Sequence, residues 1–178
     1  MLLQAQAKVD NTTVVQYSRA IPLTVMEAKP AATAEIGGLE FAAYEGQWEK
    51  IPDFAALVPV KAGVAPNFDP SVRSRETLIG LRFTGYLRVP RNGAYTFTIT
   101  SDDGAKLFIG TKLVVDNDGL HAPQEATGKI DLKAGTQPIQ LAYIQGDGGL
   151  ALEVMWEGPG VARQKIPDAA LLRVKSEQ

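Results

Sequence analysis

The sequence predicts an all-β fold, an antiparallel β-sandwich or barrel with short helical turns at its edges. Apolar and polar residues alternate at period two through the best-patterned stretch, residues 78–100, as on a strand with one buried face. Further short runs rich in Val, Ile, Phe, Tyr and Leu follow, each bounded by Gly, Asp or Pro. No helical segment separates these runs, which argues against a parallel βαβ sheet.

In chain order, residues 1–34 stand apart. Val14-Val15-Gln16-Tyr17 and Leu23-Thr24-Val25-Met26 read as strands too few to make a domain, and Lys29-Pro30-Ala31-Ala32-Thr33-Ala34 reads as a linker. Two readings stay open: an ordered tail, or the remnant of a neighbouring domain. The main domain is expected over 35–178. Leu39–Tyr44 is its first strand, ended by Glu45-Gly46. Ile51-Pro52-Asp53-Phe54-Ala55-Ala56-Leu57 reads as one helical turn, echoed by Ile166-Pro167-Asp168-Ala169-Ala170-Leu171-Leu172. Leu81, Phe83, Gly85, Leu87 and Val89 share one face of the next strand, with Arg82, Thr84, Tyr86 and Arg88 opposite. Asn92-Gly93 then predicts a tight turn, because both residues tolerate positive φ, and Tyr95, Phe97 and Ile99 define a return strand. The pair is expected to form a hairpin. Strands over 106–109, 112–116, 128–132, 139–144 and 150–156 complete the set.

The 178 residues carry 18 Lys and Arg against 20 Asp and Glu, with one His and no Cys. Near-neutral charge argues against a nucleic-acid or anionic-membrane partner held by bulk charge. Without cysteine there are no disulfides, thiolate metal sites or cysteine nucleophiles, and one histidine leaves no multi-His centre. No apolar run is long enough for a signal core or a membrane span, so the protein either stays where it is made or is a piece of a longer exported chain. Asn11-Thr12-Thr13 fits the glycosylation pattern.

Chemistry concentrates in three turns: Ser101-Asp102-Asp103-Gly104, Asp116-Asn117-Asp118-Gly119 and Gln145-Gly146-Asp147-Gly148-Gly149. Each alone is compatible with a plain turn. Adjacent carboxylates on an extended trans chain point to opposite sides, so a tight turn or an unusual peptide bond is needed to aim both at one cation. Calcium takes 6–8 oxygens from carboxylates, amides and backbone carbonyls, and the glycine-rich third turn offers all three kinds. Magnesium, with its stricter octahedron, fits less well. Two superficial matches fail. Gly146-Asp147-Gly148-Gly149-Leu150-Ala151 precedes a strand rather than a helix, so it is no dinucleotide loop. Asp116-Asn117-Asp118 opens like an EF-hand but has His121 and Thr127 where that loop needs Gly and Glu.

The run Tyr95 to Gly110, with Val114-Val115-Asp116-Asn117, Leu132-Lys133-Ala134-Gly135, Tyr143 and Leu152-Glu153-Val154-Met155-Trp156, resembles the protective-antigen-fourteen domain family. The resemblance covers about 38–174. It implies a β-sandwich module of the kind attached to secreted glycosidases, adhesins and toxins. In the sugar-binding members, two aspartates joined by a cis peptide hold a calcium ion that takes sugar hydroxyls directly. The resemblance therefore implies Asp102 and Asp103 as paired calcium ligands, with Gln145 and Asp147 as second-loop ligands. Asp102, Asp103 and Asp147, with Asn117, Asp118 and His121 on the middle loop, form the implied carbohydrate contact set. Trp48 and Trp156 are expected in packing roles.

The function expected is a noncatalytic, calcium-dependent carbohydrate-binding module of a secreted, periplasmic or cell-surface protein. Its partners would be a glycan or polysaccharide and, in the same chain, a catalytic domain. The alternative is a structural module that positions a neighbouring glycosidase without binding sugar. No nucleophile elbow or acid–base pair suggests an enzyme.

Overall fold

The structure, a computed structural model, describes residues 5–9, 12–16 and 35–174. The chain divides into two compact units, Met1–Ala32 and Thr33–Gln178. In the first, strands β1 (Ala5–Val9) and β2 (Thr12–Gln16) pair antiparallel. The expected strand at 23–26, the linker at 29–34 and Asn11 lie outside the described residues.

The second unit is the β-sandwich. Its strands are β3 (Glu35–Gly37), β4 (Leu39–Glu45), β5 (Lys61–Ala65), β6 (Ile79–Val89), β7 (Gly93–Asp102) and β8 (Ala105–Ile109), followed by β9 (Lys112–Asn117), β10 (Gln124–Leu132), β11 (Gly135–Gln145), β12 (Ala151–Gly158), β13 (Val161–Lys165) and β14 (Leu171–Val174). All pairings are antiparallel. The smaller sheet runs β10-β7-β12-β13 and the larger β3-β14-β6-β11-β8-β9. One edge of β6 is shared: β4 takes Ile79–Thr84 and β14 takes Tyr86–Leu87, while β5 lies beyond β4. Single 3₁₀ turns at Phe54–Ala56 and Asp168–Ala170 fall within the two expected helical stretches, but Leu171 and Leu172 of the second stretch open β14 instead, because they pair with Leu87 and Tyr86 of β6. At the first, the Asp53 carboxylate accepts the Ala55 N–H, satisfying a donor the turn leaves free.

The inner faces follow the predicted parity. Leu81, Phe83, Leu87, Leu107, Leu141 and Tyr143 of the larger sheet meet Tyr95, Phe97, Ile99, Val154 and Trp156 of the smaller in one core. Each such side chain contributes roughly 1.5–3 kcal/mol through burial. Trp156 stacks on Tyr95 with ring centroids 5.7 Å apart. On the outer face of the larger sheet, Tyr44, Phe54, Ala142 and Ile144 make a second cluster closed by Trp48 and Ile51.

One expectation is corrected. β6 and β7 are not a hairpin: β6 belongs to the larger sheet and β7 to the smaller. Two apolar faces joined by a short turn can pair edge to edge or pack face to face, and alternation does not distinguish them. Here the turn is fixed as a crossover by contacts from elsewhere. Asn92 Oδ1 accepts the Ala134 N–H at 2.8 Å and the Tyr95 hydroxyl donates to Arg91 O at 2.9 Å. Gly93 sits at φ 142° with Pro159 against it.

Candidate functional site

Three crossovers between the sheets converge at one end of the sandwich. β7 ends in the smaller sheet at Asp102 and β8 opens in the larger at Ala105, so Asp102-Asp103-Gly104 is the first crossing. The β9–β10 loop, 118–123, is the second, and the β11–β12 loop, 146–150, is the third. The Asp102–Asp103 peptide is cis, one of the two arrangements the sequence required if both carboxylates were to face one point.

Close backbone approach holds the three together. A Cβ on Gly104 would stand 2.8 Å from the backbone N and O of Gly119, so the first crossing packs directly on the second. Asp103 then ties all three. Its Oδ1 accepts the His121 N–H at 2.8 Å and its Oδ2 accepts the Gly146 N–H at 2.8 Å. Asp102 lies beside the far end of the third loop, where a Cβ on Gly149 would come within 2.7 Å of its Oδ2.

Both aspartates are buried, at 7% and 6% exposure. An ordinary buried acid is paired with a cation or saturated with donors; Asp103 has its donors and Asp102 does not. No described lysine or arginine forms an ion pair with either, and the Asp102 carboxylate receives no hydrogen bond from any described residue. Lys106, four residues on from Asp102, is taken up by Asp118 at 2.7 Å and Asp116 at 3.9 Å.

Beneath the pair lies Tyr143, to which the sequence alone assigns no role. The Tyr143 hydroxyl contacts the Asp102 carbonyl oxygen and, at 2.6 Å, Gln145 Oε1. A phenol has one hydrogen and cannot donate fully to both. The two acceptors therefore share one hydrogen, which joins Asp102 O, the phenol and Gln145 Oε1 in a single buried group. Gln145 Nε2 lies 3.5 Å from the Asp147 carbonyl oxygen, so the same side chain also reaches the third loop. A tyrosine following Ile139 and Leu141 in the inward row of β11 was the available signal, since a buried hydroxyl needs a partner. Burial, and then the nearby Asp102 and Asp103 charges, push this phenol far above its ordinary value, so it remains a donor.

The other expected contact residues have partners of their own around the rim. Among the described residues no three His, Asp or Glu side chains gather as a metal cluster. Asp147 is exposed on the third loop, and Gln145 is buried at the end of β11. Asn117 is buried, its amide spent on Ser101 Oγ, Gln124 O and Gln124 Nε2. Asp118 braces the loop by accepting from Lys106 and from the Ile51 N–H at 2.8 Å. Its partial burial raises its pKa, but the Lys106 ammonium and the Ile51 and Gly119 N–H groups outweigh this and hold it below its ordinary value of 3.8. His121 ring nitrogens lie 3.0 Å from Ala122 O and Asn117 O, so the ring also braces the loop. Leu120 and Leu150, half exposed on the second and third loops, flank the rim.

Two antiparallel sheets whose crossovers gather paired aspartates at one rim define the class: an all-β sandwich module with lectin-like structural relatives. The chain belongs to the PA14 domain family, whose profile matches residues 76–170. It is 25% identical over 132 residues to the anti-sigma-I factor RsgI3 of Acetivibrio thermocellus, a match covering 71% of this chain and 20% of that protein. An anti-sigma factor domain-containing protein from Clostridium clariflavum has a similar structure, with TM-score 0.62, 25% identity, and coverage of 79% of this chain and 49% of that one. The PA14 sugar-binding domain from an RTX adhesin superimposes with TM-score 0.65 at 16% identity, over 78% and 99%. The Epithelial Adhesin 9 A domain of Candida glabrata, solved in complex with Galb1-4GlcNAc, gives TM-score 0.60 at 16% identity, over 80% and 92%. The adhesin likenesses are of fold. The chain spans about a fifth of the curated relative and about half of the anti-sigma chain it matches.

Proposed function

We propose that this chain is a calcium-dependent carbohydrate-binding module, without catalytic activity of its own, carried by a secreted, periplasmic or surface protein. The observation that carries the reading is the Asp102 carboxylate, buried beside Asp103 with neither a donor nor a cation among the described residues. The surrounding groups suit a hard cation: two carboxylates, the Gln145 amide oxygen and the carbonyls of the third loop are all oxygen donors. Bound there, calcium would supply coordination positions that vicinal sugar hydroxyls can occupy.

The chain's own residues divide the remaining work. Asp103 fixes the three loops through the His121 and Gly146 N–H groups, and Tyr143 orients Asp102 and Gln145 from below. Asn117, Asp118 and the His121 ring hold the second loop in shape. Leu120 and Leu150 present apolar surface to the face of a sugar ring, and the exposed Asp147 offers a hydroxyl acceptor. Glycan-binding relatives of the same fold support a glycan or polysaccharide partner.

Calcium titrated into chelator-treated protein should bind saturably below millimolar concentration and raise the melting temperature, and a glycan array should show signals that vanish with chelator. Absence of calcium binding would remove the metal; binding of calcium with a silent array would leave only a structural site. Asp103→Asn should abolish the calcium-induced rise. Without calcium it should also lower stability by about 1–2 kcal/mol, because an amide has one acceptor oxygen for the two N–H groups that Asp103 serves. An unchanged calcium response would exclude Asp103 as a ligand.

A second reading is favoured by the partial coverage of the longer anti-sigma relatives: a structural module that positions a neighbouring domain, a glycosidase among the options, without sugar affinity. Deleting the module from the parent protein distinguishes the two, since only this reading predicts lost parent activity with no glycan binding by the isolated module.

A further inference from the structure

The outer face of the larger sheet holds a feature that the aspartate rim does not use. Arg82 and Thr84 on β6 point outward, with Ala42 and Glu40 opposite them on β4 and Ala142 and Gln140 opposite them on β11. The alanines on either side of Arg82 are too short to fill the space beside it. Hollows of about 430 and 290 Å³ therefore open on its two flanks, and Arg82 lines both. The larger hollow is also lined by Arg173 of β14, and a third, of about 320 Å³, continues from it past Arg173 to Tyr86.

Neither arginine forms an ion pair with any described residue, although Glu40 lines the same hollow. Arg173 Nε is buried with no hydrogen-bond partner. A guanidinium offers five donors in a planar fork, and a half-buried one is ordinarily satisfied by a carboxylate, carbonyls or another oxyanion. Two left without a charged partner on one hollow are preorganised for an oxyanion. Glu40 beside them disfavours a dense polyanion and can accept hydroxyls on whatever carries the charged group. The place is also separate from the rim: Arg82 stands four residues along β6 from Leu78, whose N–H meets the third loop at Gly146 O, about 13 Å at strand rise.

We propose that this sheet face is a second binding site, independent of calcium, that takes a carboxylate or sulfate group between Arg82 and Arg173, carried on a sugar or free in solution. Tyr86 in the adjoining hollow supplies a ring edge for the carrier, and Thr84 and Gln140 supply its neutral hydrogen bonds.

The test is amide-resolved NMR titration of the whole chain, in chelator, with glucuronate, glucose and inorganic sulfate. Glucuronate or sulfate should shift resonances of residues 82–86 and 173 saturably, while glucose should not. Glucuronate binding tighter than sulfate identifies a sugar-borne anion, and the reverse a free one. Arg82→Gln and Arg173→Gln should each weaken that binding about tenfold, with the rest of the spectrum confirming the fold. Asp103→Asn should leave it unchanged. Anions that shift nothing on this face, or that bind equally well to both glutamine variants, would overturn the proposal. Because chelator is present throughout, failure here is distinct from failure of the calcium site.

Discussion

Tyr143 shows how one atom organises a rim. Its hydroxyl reaches both Asp102 O and Gln145 Oε1. Tyr143→Phe keeps the ring in the core and removes only this link. It should cost about 1 kcal/mol of stability and weaken calcium about tenfold, read by denaturant unfolding and calorimetric titration; equal calcium affinity would mean that Gln145 is oriented by something else. Asp118 gives a pH signature. Its folded pKa lies below the ordinary 3.8, so the stability it contributes is present above that value and disappears as pH falls through the folded value. Asp118→Asn should therefore unfold at lower denaturant than wild type at neutral pH, with the two midpoints converging below pH 3.8. A gap that persists in acid would mean the carboxylate charge is not what Lys106 and Ile51 hold.

At the scale of elements, the third loop works because glycine leaves room. Gly149→Ala sets a methyl 2.7 Å from Asp102 Oδ2, so the loop or the carboxylate must move. Calcium-induced stabilisation should fall while the calcium-free melting temperature changes little, and an unaltered calcium shift would show that this approach is incidental. The strands themselves were largely legible, because parity along β6, β7 and β11 is imposed by a sandwich with one buried face per sheet. β5 and β13 were not: β5 is almost wholly exposed and β13 carries one apolar side chain among Ala, Arg, Gln and Lys, so neither leaves a period-two trace. The β6–β7 hairpin failed because an Asn-Gly turn specifies a reversal and not which partner the strand takes. In the rim, the paired aspartates and the glycine loop could be read from composition and order. That the Asn117 amide is buried and the His121 ring bonds to loop carbonyls could not, because it depends on Gln124, Ser101 and backbone carbonyls brought in by tertiary packing.

For the whole molecule, stability rests on two sheets meeting at a single core, with Phe83 and Phe97 fully buried from opposite sides. Phe83→Ala should cost about 3–5 kcal/mol, measured by denaturant unfolding. A loss below 1 kcal/mol would mean that the sheets can close over the vacancy. The strands that bound the sandwich have a further consequence. β3 and β14 pair with Glu35 opposite Val174, so the polypeptide enters and leaves at adjacent points. A longer protein built around such a sandwich could wear it as a pendant, with no need to route its own backbone through the bead. Tension applied to the two ends of the sandwich would peel those two outermost ribbons apart like a zip, bond by bond, before it sheared the aspartate rim.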